Sequence, residues 1–274
     1  MSIVNIAYQG DPGSYSYEAM HKTFGDDITY EKKDFFSDVF EAVSKGSFTY
    51  GIIPFENSTT GGVYEVFDLL NIYENCYIVG ETFVEVNHNL MAIKGAKISD
   101  IKKVYSHPQA LDQCKQYIRK MNFEECPYRN TATSAKLVGE MNDKTCAAIA
   151  NHMAAQIYNL EILDATINNY SNNITKFIII KNTPTYDENS NKISLIMITS
   201  HSPGSLYDAL GCFAKNNINI IKLESRPVKN IPWQYSFYVD IEGNLKDQNI
   251  LQSLKELKTT CPKIRILGNY VASI

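Results

Sequence analysis

The chain has 274 residues and is 44% hydrophobic, too long for one average domain and apolar enough to fill the cores of two. A formal net charge of −4 and a pI near 5.8, with no cluster of Lys and Arg, argue against a nucleic-acid partner, whose non-specific affinity comes from clustered cations. No apolar run approaches membrane-spanning length and the N-terminus has no basic leader, so no membrane partner and a cytoplasmic location are expected.

Residues 3–8, 50–54, 104–105 and 147–150 read as strands, each followed by an amphipathic helical stretch. That alternation predicts an α/β fold with a mostly parallel sheet covered on both faces. Residues 76–93 are rich in β-formers and are expected to cross between two lobes, lobe 1 being about 1–77 and 160–181 and lobe 2 about 78–159. Residues 182–192 are polar, hold Pro184 and many turn formers, and read as the linker after a first domain of 1–181. Beyond it come strand 193–199, helix 203–216, strands 218–224 and 234–240, helix 247–258 and strand 264–271. The order β-α-β-β-α-β over 193–274 predicts a ferredoxin-like sandwich. Its first helix is expected to start with Ser202 as N-cap and Pro203 as first helical residue, and to bury Leu206, Leu210 and Phe213.

The six cysteines, 76, 114, 126, 146, 212 and 261, are scattered without CxxC or Cys/His spacing, and the five histidines, 21, 88, 107, 152 and 201, have no ligand rhythm. Buried free thiols in a reducing compartment and no metal are expected.

Four polar clusters each follow an expected strand and open an expected helix: Gly10-Asp11-Pro12-Gly13-Ser14-Tyr15-Ser16, Glu56-Asn57-Ser58-Thr59-Thr60-Gly61-Gly62, Ser106-His107-Pro108-Gln109 and Asn130-Thr131-Ala132-Thr133-Ser134. Loops at the carboxyl ends of parallel strands form the ligand crevice of open α/β sheets, where helix N-termini present free N–H groups. A small anionic substrate is implied. Any one cluster is equally well explained as helix caps and turns; the four together favour a site. No GxGxxG, GK[ST], GxSxG or HExxH spacing is present.

The run Ala7-Tyr8-Gln9-Gly10-Asp11-Pro12-Gly13-Ser14-Tyr15-Ser16, then Ile53-Pro54-Phe55-Glu56-Asn57-Ser58, Ser106-His107-Pro108-Gln109-Ala110-Leu111-Asp112-Gln113-Cys114 and Asn173-Ile174-Thr175-Lys176-Phe177 resemble the ordered signature segments of prephenate dehydratases. The later runs His201-Ser202-Pro203-Gly204-Ser205-Leu206, Glu224-Ser225-Arg226-Pro227 and Pro232-Trp233-Gln234-Tyr235 resemble the ACT regulatory domain common to that family. The resemblance implies a two-lobed catalytic region like a type II periplasmic binding protein, with the substrate between the lobes. It implies decarboxylating dehydration of prephenate to phenylpyruvate without a cofactor, since aromatisation drives the reaction.

Aromatisation requires a proton or strong hydrogen bond to the departing hydroxyl and fixed partners for two carboxylates. The family position of the essential threonine falls on Thr175, whose hydroxyl is too weak an acid to act otherwise than by hydrogen bonding. Without the resemblance it would read as a β-branched strand residue. The expected catalytic residues are Thr175, Glu56, Asn57, Ser58 and His107; Ser14, Ser106, Thr131, Lys176 and Phe177 are expected against substrate. His107 is either a hydrogen-bond donor, a titrating acid or simply part of a helix-start turn, and Glu56 either a proton donor raised by burial or an ordinary carboxylate. Lys176 departs from the arginine usual after the threonine, and an ammonium holds a carboxylate as a point charge rather than through two parallel bonds.

By the same resemblance, phenylalanine is the effector and ACT domains of two subunits meet around it. His201, Pro203, Gly204, Ser205 and Leu206 would stand on one side and Glu224, Ser225, Arg226 and Pro227 on the other. An effector acting through quaternary preference implies a homo-oligomer, a dimer or tetramer through both domains.

Overall fold

The computed structural model describes residues 4–228, 231 and 233–273. Ile3 of the expected first strand, Pro232 of the C-terminal motif and Ile274 lie outside the described residues.

The chain runs β1 (Asn5–Gln9), α1 (Tyr15–Phe24), β2 (Thr29–Lys33), α2 (Phe36–Ser44), β3 (Tyr50–Asn57), β4 (Gly61–Gly62), α3 (Tyr64–Ile72) and β5 (Tyr77–Glu85) before crossing to a second lobe. There it forms β6 (Asn89–Ile93), β7 (Lys103–Ser106), α4 (Pro108–Gln113), α5 (Lys115–Met121), β8 (Glu124–Pro127), α6 (Thr131–Met141), β9 (Cys146–Ala150), α7 (His152–Ile157) and β10 (Leu160–Asp164). It returns as β11 (Ile174–Lys181).

The first sheet has the order β2-β1-β3-β11-β5 with β4 on β3, and the second β10-β6-β9-β7-β8. Two expectations are corrected here. The lobe boundaries move, because β5 pairs with β11 in the first sheet and β10 with β6 in the second. Each sheet is mixed rather than mostly parallel: β11 comes back from the second lobe and so runs antiparallel to both β3 and β5.

The C-terminal region is β12 (Lys192–Ile198), α8 (Ser205–Lys215), β13 (Ile220–Pro227), β14 (Tyr235–Glu242), α9 (Gln248–Thr260) and β15 (Lys263–Tyr270), with strand order β13-β14-β12-β15. Its helices bury Ala209, Phe213, Ile250 and Leu257 against Ile193, Leu195, Val239 and Ile241 on one face of the sheet. The helix start differs from expectation: Gly204, at φ 86, is the N-cap of α8, and Ser202 instead offers its carbonyl to the Ser205 N–H.

Alternation along the strands sends Ile196, Tyr238 and Tyr270 to the other face, where they join Phe55, Phe67, Leu70 and Ile78 of lobe 1 in one core. Gly268 permits this closeness, since a Cβ there would collide with the Ile78 carbonyl. Lobe 1 and the C-terminal sheet therefore share a hydrophobic interior. Between them Lys192 pairs with Glu81, and Arg226 with Asp68.

Candidate active site

A cavity of about 410 Å³ opens between the two lobes, lined among others by Ser14, Asn57, His107, Thr131, Thr175 and Phe177. Five elements deliver these residues. Ser14 caps α1 and accepts the Tyr17 N–H; His107 caps α4, its Nδ1 accepting the Gln109 N–H at 3.2 Å; Thr131 opens α6 behind its cap Asn130. Thr175, the second residue of β11, stands directly opposite Asn57, the last residue of β3.

Asn57 is fully engaged. Its Nδ2 donates to Thr175 Oγ1 at 2.9 Å and to Asn173 Oδ1 at 2.7 Å, while its Oδ1 accepts from Thr59 Oγ1 at 2.6 Å. That bond belongs to a longer sequence. The Tyr15 hydroxyl lies 3.1 Å from His88 Nδ1, His88 Nε2 lies 2.8 Å from Gln113 Oε1, and Gln113 Nε2 donates to Thr59 Oγ1 at 3.4 Å. Burial pushes His88 below the ordinary imidazole range despite the Gln113 bond, so the ring is neutral: Nε2 donates to Gln113, and Nδ1, the acceptor nitrogen, faces the Tyr15 hydroxyl, which also donates to the Asn87 carbonyl at 3.0 Å. Each member then donates to the next, from His88 to Thr175. Among the described residues the Thr175 hydroxyl donates to none, which leaves its proton uncommitted on a residue that lines the cavity.

The same bonds hold the lobes together, since Tyr15, Asn57 and Thr59 belong to lobe 1 and Gln113 to lobe 2. Gln109 Nε2 donates to Thr60 Oγ1 at 3.2 Å, Asn130 Nδ2 to Asp11 Oδ2 at 2.9 Å and the Tyr158 hydroxyl to the Pro12 carbonyl at 2.9 Å, all across the cleft. Burial raises the Asp11 carboxyl, but bonds from Lys32 and Asn130 more than reverse this and keep it anionic. Gly13, at φ 84, lies so close to α7 that a Cβ would stand 2.9 Å from Ala154 Cα. Asn168 ties the two crossings, accepting from the His88 N–H and donating to the Val86 carbonyl.

No Lys or Arg is among the described residues lining this cavity. The positive dipole ends at its wall are the N-termini of α1 and α6, ten and eleven residues long. His107 is likewise pushed by burial below the ordinary imidazole range and is neutral near pH 7, with its proton on Nε2 because Nδ1 accepts from Gln109.

The structure brings together Ser14, Asn57, His107, Thr131, Thr175 and Phe177, but not the other expected residues. Glu56 and Lys176 face each other across β3 and β11 on the opposite side of the sheet, bonded at 3.2 Å, beside a different cavity. Burial pushes the Glu56 carboxyl up, yet the ammoniums of Lys222 and Lys176 more than reverse it and hold it below the usual range, which rules it out as a proton donor near neutrality. Ser58 lines that other cavity, its hydroxyl spent on the Asn172 carbonyl and the Ile174 N–H. Ser106 is fully buried and donates to the Ile149 carbonyl at 2.6 Å. Tyr15, His88, Gln109 and Gln113 were not anticipated; all but His88 sit inside the signature runs, and the i, i+4 spacing of the two glutamines along α4 places them on one face.

In the C-terminal domain a cavity of about 420 Å³ is lined by His201, Pro203, Ser205 and Leu206, with Tyr235 and Phe237 facing them. Gly204 shapes its rim through its positive φ at the α8 N-cap. Glu224, Ser225, Arg226 and Pro227 run along the edge strand β13 and are not among its lining residues in the single chain. Arg226 instead lies over the Tyr64 ring and pairs with Asp68 of α3, not with Glu224. Among the described residues no group of three or more His, Cys, Asp or Glu is placed to hold a metal ion, and no helix is long and apolar enough to cross a membrane.

A two-lobed α/β cleft lined by hydroxyls, amides and helix N-termini, fused to a βαββαβ sandwich, defines a type II periplasmic-binding-like catalytic region with an ACT domain. Comparison with known proteins carries this further. The family model for prephenate dehydratase matches residues 6–185 and that for the ACT domain residues 191–259. A prephenate dehydratase of Methanocaldococcus jannaschii is 38% identical over 97% of both chains. Among solved structures, prephenate dehydratase from Arthrobacter aurescens in complex with L-Phe superposes with a TM-score of 0.90 at 27% identity, covering 98% of this chain and 90% of the other. GqqA, described as a novel type of quorum-quenching acylase, gives a TM-score of 0.90 at 30% identity over 98% of both chains. The chain belongs to the prephenate dehydratase family.

Proposed function

We propose that this chain is a carbon–oxygen lyase that converts prephenate to phenylpyruvate in the inter-lobe cleft, as a step of phenylalanine synthesis, with Thr175 easing the departing hydroxyl. The observation that carries the reading is the uncommitted proton of Thr175, whose oxygen is held by the Asn57 amide. Prephenate dianion plus one proton gives phenylpyruvate, carbon dioxide and water. The bond from the ring to its carboxylate breaks, the electron pair closes the aromatic ring, and the ring C–O bond breaks with oxygen leaving as water. Charge builds on that oxygen, and a preorganised donor aimed at it stabilises the transition state more than the ground state. Accepting a bond from Asn57 polarises the Thr175 hydroxyl and strengthens the one it donates.

His107, neutral with a hydrogen on Nε2, is a cleft group able to give the departing oxygen a second hydrogen bond, and the proton that completes the water comes from solvent. The α1 and α6 N-termini, with Ser14 and Thr131, receive the substrate carboxylates. No cofactor enters these steps.

An acylase reading, raised by the likeness to GqqA, requires a nucleophile stripped of its proton. The bond to Thr175 is instead a donor's, which makes the hydroxyl less basic and not more nucleophilic.

Phenylalanine regulates this activity from the cavity around His201, Pro203 and Leu206, which joins an apolar wall of Phe237 to free backbone at the start of α8. A homo-oligomer, dimer or tetramer, fits both the implied mode of regulation and the exposed Ile221 and Leu223 on the edge strand β13. The mostly buried, unpaired cysteines fit a cytoplasmic location.

Ultraviolet detection of phenylpyruvate from prephenate, beside turnover of arogenate, tests the function. Faster turnover of arogenate would make the chain an arogenate dehydratase, and no turnover of either would leave an amino-acid-binding module.

A further inference from the structure

The register of β3 against β11 breaks immediately beside the catalytic threonine. Lys176 faces Glu56 but Phe177 faces Pro54, so Phe55 is an extra residue on β3. A bulge of this kind puts two successive side chains on one face and leaves the ladder locally unpaired. Here Phe55 and Glu56 both turn to the regulatory domain, and Asn57 returns to the cleft. Pro54, having no N–H, cannot donate to the ladder either. The position of the last residues of β3 therefore depends on what grips those two side chains.

Lobe 1 holds each of them from one side, Phe67 with its ring 4.5 Å from Phe55 and Lys176 beside Glu56, and the regulatory sheet holds each from the other. The Phe55 ring, fully buried, lies 5.1 Å from that of Tyr238 on β14. Glu56 Oε1 is 2.5 Å from Lys222 Nζ on β13, its other oxygen taking Lys176. Phe237, the residue before Tyr238, lines the regulatory cavity, and successive side chains of a strand point to opposite faces. A shift of β14 on filling that cavity passes to Phe55 through the adjacent residue. The same pair of strands carries Lys222.

Resting on the reading of this chain as a phenylalanine-regulated dehydratase, we propose that the Phe55–Glu56 bulge is where the regulatory domain acts on catalysis, with Lys222 and Tyr238 as positioning residues. Through them β13 and β14 set the end of β3, and hence how Asn57 presents Thr175 to substrate. The route lies within one chain and involves no group that touches substrate until Asn57.

The test uses the full-length chain, wild type, Lys222→Met and Lys222→Arg, with prephenate turnover and the heat of phenylalanine binding measured on each. Lys222→Met is expected to bind phenylalanine within about twofold of wild type, while the concentration giving half-inhibition rises at least about fivefold. Lys222→Arg, which restores a cation opposite Glu56, returns inhibition toward wild type. Inhibition of Lys222→Met at the wild-type concentration would overturn the route, and so would loss of its binding heat, which would make the lysine part of the ligand site. A wild type that turns prephenate over but neither binds nor heeds phenylalanine would instead remove the regulation itself, and the route with it.

Discussion

Asn57 Nδ2 donates to Thr175 Oγ1 across the last rung of β3 and β11, and the direction of that bond decides the role of the threonine. As an acceptor toward Asn57, Thr175 keeps its own hydrogen for the substrate. Asn57→Asp replaces the donor with an isosteric acceptor, still able to bind Thr59, and would draw the Thr175 hydrogen away from the cleft. Steady-state kinetics should show kcat lowered by about 10²–10³-fold, the loss expected for one preorganised donor, with an unchanged circular dichroism spectrum. Activity within tenfold of wild type would show that the bond's polarity is immaterial.

Acid should weaken both fold and catalysis in one window. His88 and His107 are pushed by burial below their ordinary value, which is about 6.5 in an unfolded chain. The unfolded state then binds more protons than the folded one, so this stability is full above about pH 6.5 and is lost as pH falls through the lower folded values. Asp11 and Glu56, held below the usual carboxylate range, add to the loss only at more acid pH. Protonated His88 cannot accept at Nδ1 from Tyr15, so kcat should show an acid limb that His88→Gln flattens. An acid limb centred at or above about pH 6.5, or one that His88→Gln leaves unchanged, would contradict the neutral ring at His88.

The junction of lobe 1 with the regulatory domain rests on a buried cation. Lys192 Nζ lies 2.8 Å from Glu81 and 3.3 Å from Asp240, all three side chains no more than 6% exposed. Burial lowers the Lys192 pKa, but the two carboxylates more than reverse this and hold it raised. Lys192→Met leaves both carboxylates buried without a cation, Asp240 keeping the Ser194 hydroxyl, which costs about 3–5 kcal/mol. Denaturant unfolding should show it, and Glu81→Gln in the same chain should recover part. A loss below about 1 kcal/mol would mean that water reaches the site.

Much of the architecture was legible because buried strands announce themselves. Residues 50–54 and 147–150 are apolar runs and became β3 and β9. Edge strands do not: every residue of Thr29–Lys33 is polar or aromatic and mostly exposed, and β8 and β10 likewise owe their existence to the neighbour they pair with. The site was legible as loops but not as faces. Glu56 and Lys176 flank Asn57 and Thr175 in the chain, yet strand alternation turns them away, and the bulge at Phe55 that changes the parity has no local signature. His88 carries no motif at all; only its place at a crossing between lobes makes it central.

Closure of the lobes depends on Gly13. A Cβ at this position would press on the Ala154 backbone of α7, and φ 84 is strained for any L side chain. Gly13→Ala should prop the cleft, raising KM for prephenate by at least about tenfold, or roughly 1.4 kcal/mol of binding, with a smaller effect on global stability. A wild-type KM would show that the lobes open here without consequence.

The kcat of Thr175→Val with prephenate tests the central claim most directly, because valine keeps the shape of the side chain and removes only the hydroxyl. A fall of about 10²–10³-fold at nearly unchanged KM is predicted. A variant retaining more than about a tenth of wild-type kcat would show that the departing oxygen is served by another group, and that the donor sequence ending on Thr175 does not carry the reaction.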